Sequence, residues 1–416
     1  MTHARSWAKS PSLILFAIVS AMSCKGSDPV DPNKQFLPNT PFTLSVEGRG
    51  PVDDRFTAEL WVNGGYAYTT TWGTRTSTSG SARGNAIKIW SLAAATPSLV
   101  DSVIVTAATT LGDVQVSEDG KYLVVATELA PGSIVIYSLA NPAEPVQIAR
   151  FQSAQTDPGV HTAEIQVVNG KLYGFLSIDP RGSTDTPARL VIVDLSTPAA
   201  PTQVYSAVMG TPFVHDVYVR DGILMTALWN DGMSIFDIGG GGKGGSPSNP
   251  ILMGRTPIVG GKAHNIVWFH DAVTQSKKYA YVGEEGPGSI GSSSVGDVHV
   301  IDVSDLTKPK EVGVFSVPGA GVHNFSADEQ RGILYLAYYN GGVRAISTRG
   351  DFNSCTAGEK SADGRCDLGK MKHELARGLL ETGGQVYVWG VQLVGGKVYA
   401  SDMINGLWRL SPVPAF

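Results

Sequence analysis

The chain has 416 residues, 42% of them hydrophobic and 17% charged, a balance that excludes a disordered chain and allows two or three domains or one large repeat array. The formal net charge is −5; removal of residues 1–23 takes Arg5 and Lys9 with it and leaves 30 basic against 37 acidic side chains. No basic footprint remains for a nucleic-acid partner, and that class is excluded.

The first segment reads as an address. Arg5 and Lys9 form a basic region, and Leu13 to Ala21 is an apolar stretch too short to span a bilayer. Ala21-Met22-Ser23-Cys24 then resembles a bacterial lipobox, with Ala21 where such motifs usually carry Leu. The expectation is a lipoprotein signal peptide over residues 1–23, a lipid on Cys24 and a flexible tether over 24–41. The alternative is an ordinary secretory signal with Cys24 a bystander. Either places the protein outside the cytoplasm, in a bacterial cell envelope, and the first gives it the membrane as a partner. Lys25 to Lys34 is polar and proline-rich, as a tether requires.

After a lone strand at Phe42–Val46, one unit recurs. Its clearest copy runs from His215 to Arg255. His215 to Val219 alternates as a strand, Arg220-Asp221-Gly222 turns, Ile223 to Trp229 returns, and Asn230-Asp231-Gly232 turns again. Met233 to Ile238 is a third strand and Ile251 to Arg255 a fourth. Third strands repeat at Ile87, Ile134, Leu190, Met233, Val298, Val343 and Leu407, with starts 43 to 65 residues apart. That spacing predicts an all-β, seven-bladed propeller of four-stranded antiparallel blades over residues 42–416. The seventh copy stops at Pro412 with no fourth strand, so Phe42–Glu47 is expected to complete it by pairing with Leu407–Leu410.

Two insertions stand out. Gly239–Ser246 is glycine-rich but lacks the Gly-Lys-Ser/Thr ending of a phosphate loop, and reads as a flexible connection. Residues 348–384 lengthen the sixth blade; within them, Met371–Leu380 reads as an outer strand or a surface turn. If Cys24 carries lipid, Cys355 and Cys366 remain as a pair around a loop with no apolar run. A disulfide would close that loop; two free thiols are the alternative.

Leu190-Val-Ile-Val-Asp194, followed by Ser196 and two prolines, resembles the LVIVD-repeat family, and Ile134–Pro145 and Val298–Pro309 match with substitutions. The resemblance covers roughly residues 42–411. It implies an extracytoplasmic β-propeller and brings no reaction and no catalytic residue.

Antiparallel topology sorts the loops onto two faces. On one face, four consecutive blades open their first, innermost strand with His161, His215, His264 and His323. The loops between second and third strands add Glu128, Asp179, Arg181, Asp231, Glu284, Glu285, Asn340, Asp402 and Asn405, with Trp72, Trp229 and Tyr339 beside them. Two readings follow. In the first, this face makes the chain a binding or scaffold module for a protein, glycan or small molecule, and each histidine hydrogen-bonds the neighbouring blade. In the second, the four imidazoles converge on one first-row transition-metal ion, as a metal carrier or a metal-dependent enzyme. No sequence motif of an established enzyme class accompanies them.

Overall fold

The computed structural model describes residues 40–414 apart from 79, 179–188, 211 and 380–384. The signal peptide, Cys24, nearly all of the tether, Asp179 and Arg181 lie outside the described residues. What is described is a seven-bladed propeller of four-stranded antiparallel sheets. Its only helical turn among the described residues is the short Ala357–Glu359.

The third blade shows why the sequence folds this way. Its strands are Val160–Val168, Lys171–Ile178, Arg189–Asp194 and Thr202–Val208. Side chains on a strand alternate between faces. Leu190 and Ile192 pack with Val217, Val219 and Leu224 of the fourth blade, whereas Val191 and Val193 pack with Val124, Ala126 and Ile134 of the second. Both faces are covered, so the run is apolar without alternation, and all four side chains are fully buried. The same division holds at Val298–Asp302, with Val298 and Val300 toward the sixth blade and Ile301 toward the fourth.

The residue that ends each such run stops it chemically. Asp194 Oδ1 accepts the N–H of Ser196 at 2.8 Å, and Asp302 Oδ1 accepts that of Ser304 at 2.9 Å. Where the repeat carries Ser91, Ser138 or Ser347, the hydroxyl accepts the N–H two residues on, more weakly, at 3.2–3.5 Å. In the fourth blade, Asp237 extends the device. Its carboxylate accepts four backbone N–H groups, from Gly239, Gly241, Lys243 and Gly245, at 2.6–3.1 Å. The glycine-rich loop is therefore an anion cradle whose anion is supplied by the chain itself.

The strand that opens each repeat unit, Val388–Val394 in the seventh, lies innermost, against the corresponding strands of both neighbouring sheets. The seventh sheet runs in the order Phe42–Gly50, Gly406–Pro414, Lys397–Asp402, Val388–Val394. Its third strand passes through Pro412, where the sequence suggested a stop, and Pro412 stands opposite Leu44. This is tolerated because the neighbour on the other side ends earlier, at the Val398–Leu410 pair, so no ladder bond is demanded of proline there. Glu47 ties Phe42–Gly50 to both of the next two strands, by ion pairs to Lys397 and to Arg409, the latter at 2.7 Å.

Within the insertion of the sixth blade, Glu374–Gly378 is the outer strand, and Cys355 is disulfide-bonded to Cys366. Cys366–Asp367 also adds a fifth, parallel strand to the fifth blade, a role the sequence did not suggest.

Candidate functional site

The histidines owe their convergence to a repeated irregularity. In five sheets the ladder between first and second strands slips at the same place, at residues 58–59, 112–113, 161, 264–265 and 389. A β-bulge re-aims the side chains it carries. In the fourth and sixth blades the strands begin just after His215 and His323, whose N–H groups bond the carbonyls of Ala227 and Ala337 at 2.8 Å. The seven equivalent positions are Ala58, Gly112, His161, His215, His264, His323 and Trp389. The next residue along adds Glu59, Asp113, Asp216, Asn265 and Asn324.

The aromatic rings form a continuous arc. Centroids are 4.2 Å apart for His161–His215, His215–His264, His264–His323 and His323–Trp389. All four imidazoles are buried. Their partners differ, and this separates their roles. Nδ1 of His161 donates to Glu128 Oε1 at 2.7 Å, and Nδ1 of His323 donates to the Trp389 carbonyl at 2.7 Å. Each ties its blade to a neighbouring one. Neither ring nitrogen of His264 has a hydrogen-bond partner among the described residues.

Glu285 stands over the inner pair. Its Oε2 lies 3.4 Å from His215 Nε2 and 3.8 Å from His264 Nε2, and the Tyr339 hydroxyl donates to its Oε1. Donor atoms of His215, His264 and Glu285 all fall within 4.8 Å of one another. Burial, reinforced by His215, holds His264 well below the usual imidazole range. Burial opposes the charge on Glu285, but the imidazoles of His264 and His215 outweigh it and keep this carboxylate well below its ordinary range. Two imidazoles and one carboxylate form a donor set that suits a cation.

The remaining expected residues go elsewhere. Glu284, the last residue of its strand, points away from Glu285, toward His299 Nε2 at 3.6 Å. Glu128 supports His161 and accepts Trp72 Nε1 at 3.0 Å. Asp402 is fully buried and accepts the N–H groups of Tyr387 and Ile404 at 3.1 and 2.9 Å, pinning a turn. Asn340 donates to the Gly319 carbonyl at 2.8 Å and accepts the Ser294 hydroxyl. Asp231 is exposed.

Above the arc lies a cavity of about 360 Å³ with His215 and Glu285 among its lining residues. Aromatic side chains wall it. Trp229 stacks on His215 with centroids 5.1 Å apart and planes at 17°, and Phe213 meets Trp229 edge-on. His264 instead faces a cavity of about 50 Å³ on the inner side of the arc. Beyond it the channel is lined by Glu59, Asp113, Glu164 and Asp216. Sequence reasoning missed the first three. Aligning Ala58-Glu59 and Gly112-Asp113 with His215-Asp216 would have found two of them.

The family model of the LVIVD repeat matches residues 184–207 and 271–317. The described residues among these fall in the third and fifth blades. No curated protein matches the chain.

Proposed function

We propose that this seven-bladed, LVIVD-repeat chain is a lipid-anchored extracytoplasmic binding module whose channel holds one first-row transition-metal ion between His215, His264 and Glu285. The observation that carries the reading is His264, a buried imidazole with neither nitrogen bonded beside an ionised carboxylate. Leaving a buried polar group unpaired costs about 1–3 kcal/mol. An ion that accepts a nitrogen lone pair removes that penalty.

The donor set supports the same reading. Tetrahedral bonds of about 2.0–2.2 Å hold ligand atoms roughly 3.3–3.6 Å apart. The Glu285–His215 separation of 3.4 Å fits, and the 3.8 Å to His264 closes with a small ring rotation. Two imidazoles and a carboxylate leave coordination positions open, as sites that bind a further ligand do. The ion would act as a Lewis acid; Tyr339 orients the carboxylate. The Cys355–Cys366 disulfide supports an oxidising compartment.

Metal analysis of the purified full chain tests this. The expected result is one ion per chain, removable by chelator, with affinity lowered at least about 100-fold by His264→Ala and by Glu285→Gln. The metal-free His264→Ala protein should melt no lower than the metal-free parent, because it loses an unpaired buried group. Absence of stoichiometric metal after incubation with zinc or cobalt would sink the proposal.

A further inference from the structure

The cavity above the arc has a composition that the metal alone does not require. It is at the small end of the roughly 300–1,000 Å³ range of ligand pockets. Its floor is His215 and Glu285, two of the three proposed ligands, so an ion held there would be approached from this side. Two aromatic walls face each other across the axis. Trp229 and Phe213 come from the fourth blade, whereas Trp72, Tyr387 and Trp389 come from the first and seventh, half a turn of the propeller away. Trp72 and Trp389 are themselves in contact, with centroids 5.8 Å apart. Ile290, on the segment that follows Glu285, adds to the rim, and the Tyr387 hydroxyl accepts the Gly288 N–H at 3.1 Å.

Charge and shape together define the guest. A divalent ion bound by two neutral imidazoles and one carboxylate keeps one positive charge. The walls are mostly ring faces and edges, which favour a flat apolar body in offset or edge-on contact. Resting on the metal reading above, we propose that this cup binds a small aromatic molecule bearing an anionic oxygen donor, a phenolate or catecholate, with the ring between the two walls and the oxygen on the ion. The walls alone would also suit a quaternary ammonium, which aromatic cages bind. The residual positive charge on the floor disfavours that guest.

The test uses the full chain loaded with cobalt(II), whose visible absorption reports its ligands. Catechol should shift the cobalt bands and quench tryptophan fluorescence together, and cyclohexane-1,2-diol, with two oxygens but no aromatic ring, should bind at least about 10-fold more weakly. Phe213→Ala should weaken catechol by roughly 10-fold while the cobalt spectrum without catechol is retained. Should that variant misfold, Ile290→Ala on the opposite rim provides the same comparison. If cobalt binds and catechol changes neither signal, the cup proposal is overturned and the metal reading stands. If cobalt does not bind, both fall. Benzyltrimethylammonium binding the metal-free chain as tightly as catechol binds the loaded one would also overturn the proposal.

Discussion

Glu164 lies on the inner strand of the third blade and shares the axial channel with Asp113 and Asp216. Burial, with those two carboxylates adding to it, pushes Glu164 up from its ordinary 4.5 to about 8. Burial and Asp113 likewise push Asp216 up to about 7. The sign of the consequence follows by linkage. The folded chain keeps a proton on Glu164 that the unfolded chain releases, so its stabilising contribution is complete below about pH 4.5 and is lost as pH rises through about 8. Glu164→Gln removes this loss. The variant should melt roughly 2–4 °C above the parent at pH 9 and close to it at pH 5. Equal melting at pH 9 would mean that the carboxyl is solvated. This residue was invisible in the sequence for a physical reason. A lone Glu on an alternating strand normally faces water, and only the closing of seven inner strands around one axis turns that side into a confined channel.

At the scale of an element, the third strands were the most legible feature. Leu190 to Val193 is apolar throughout because each face meets a different blade, and that demand writes itself directly into residue type. The punctuation was legible as well, through Asp194 and the prolines that follow. The glycine-rich loop after Asp237 was legible only as a loop. Its order comes from a carboxylate whose burial is outweighed by hydrogen bonds from Gly239, Gly241, Gly245 and Lys243, which hold it well below the usual carboxylate range. Asp237→Ala leaves four N–H groups without their acceptor. It should lower stability by about 1–3 kcal/mol and speed amide exchange across residues 239–245. Unchanged exchange there would show that the loop holds itself. Glu284 and Glu285 illustrate the limit of reading pairs. Both were candidates by position, but the strand ends between them, and one goes to His299 and the other to the histidine arc.

For the whole molecule, the repeat announced the fold, and the histidines announced their own register because four blades carry them at one position. The sequence left open whether they act alike. It could not separate His264 from His161, since the difference lies in hydrogen bonds across blades: Glu128 accepts from His161, whereas His264 has no such partner among the described residues. The cellular setting also belongs to this scale. A lipidated Cys24 would tether the propeller to a membrane, and Cys24→Ser should move the protein from the membrane to the soluble fraction without changing its melting temperature. Continued membrane attachment of the variant would sink the anchor.

Seven equivalent positions around one axis invite the saturation of an ion there by imidazole. Sterics forbid it. A Cβ added at Gly112 would stand 2.0 Å from the His161 carbonyl oxygen, so that position cannot carry any side chain while the third blade keeps its place. Ala58 is fully buried beside Trp389. The four imidazoles and the indole fill one arc because the remaining two positions are nearly bare. Residues that could hold an ion on that arc are therefore confined to one side of the axis, and the ion would be left room to exchange its remaining ligands.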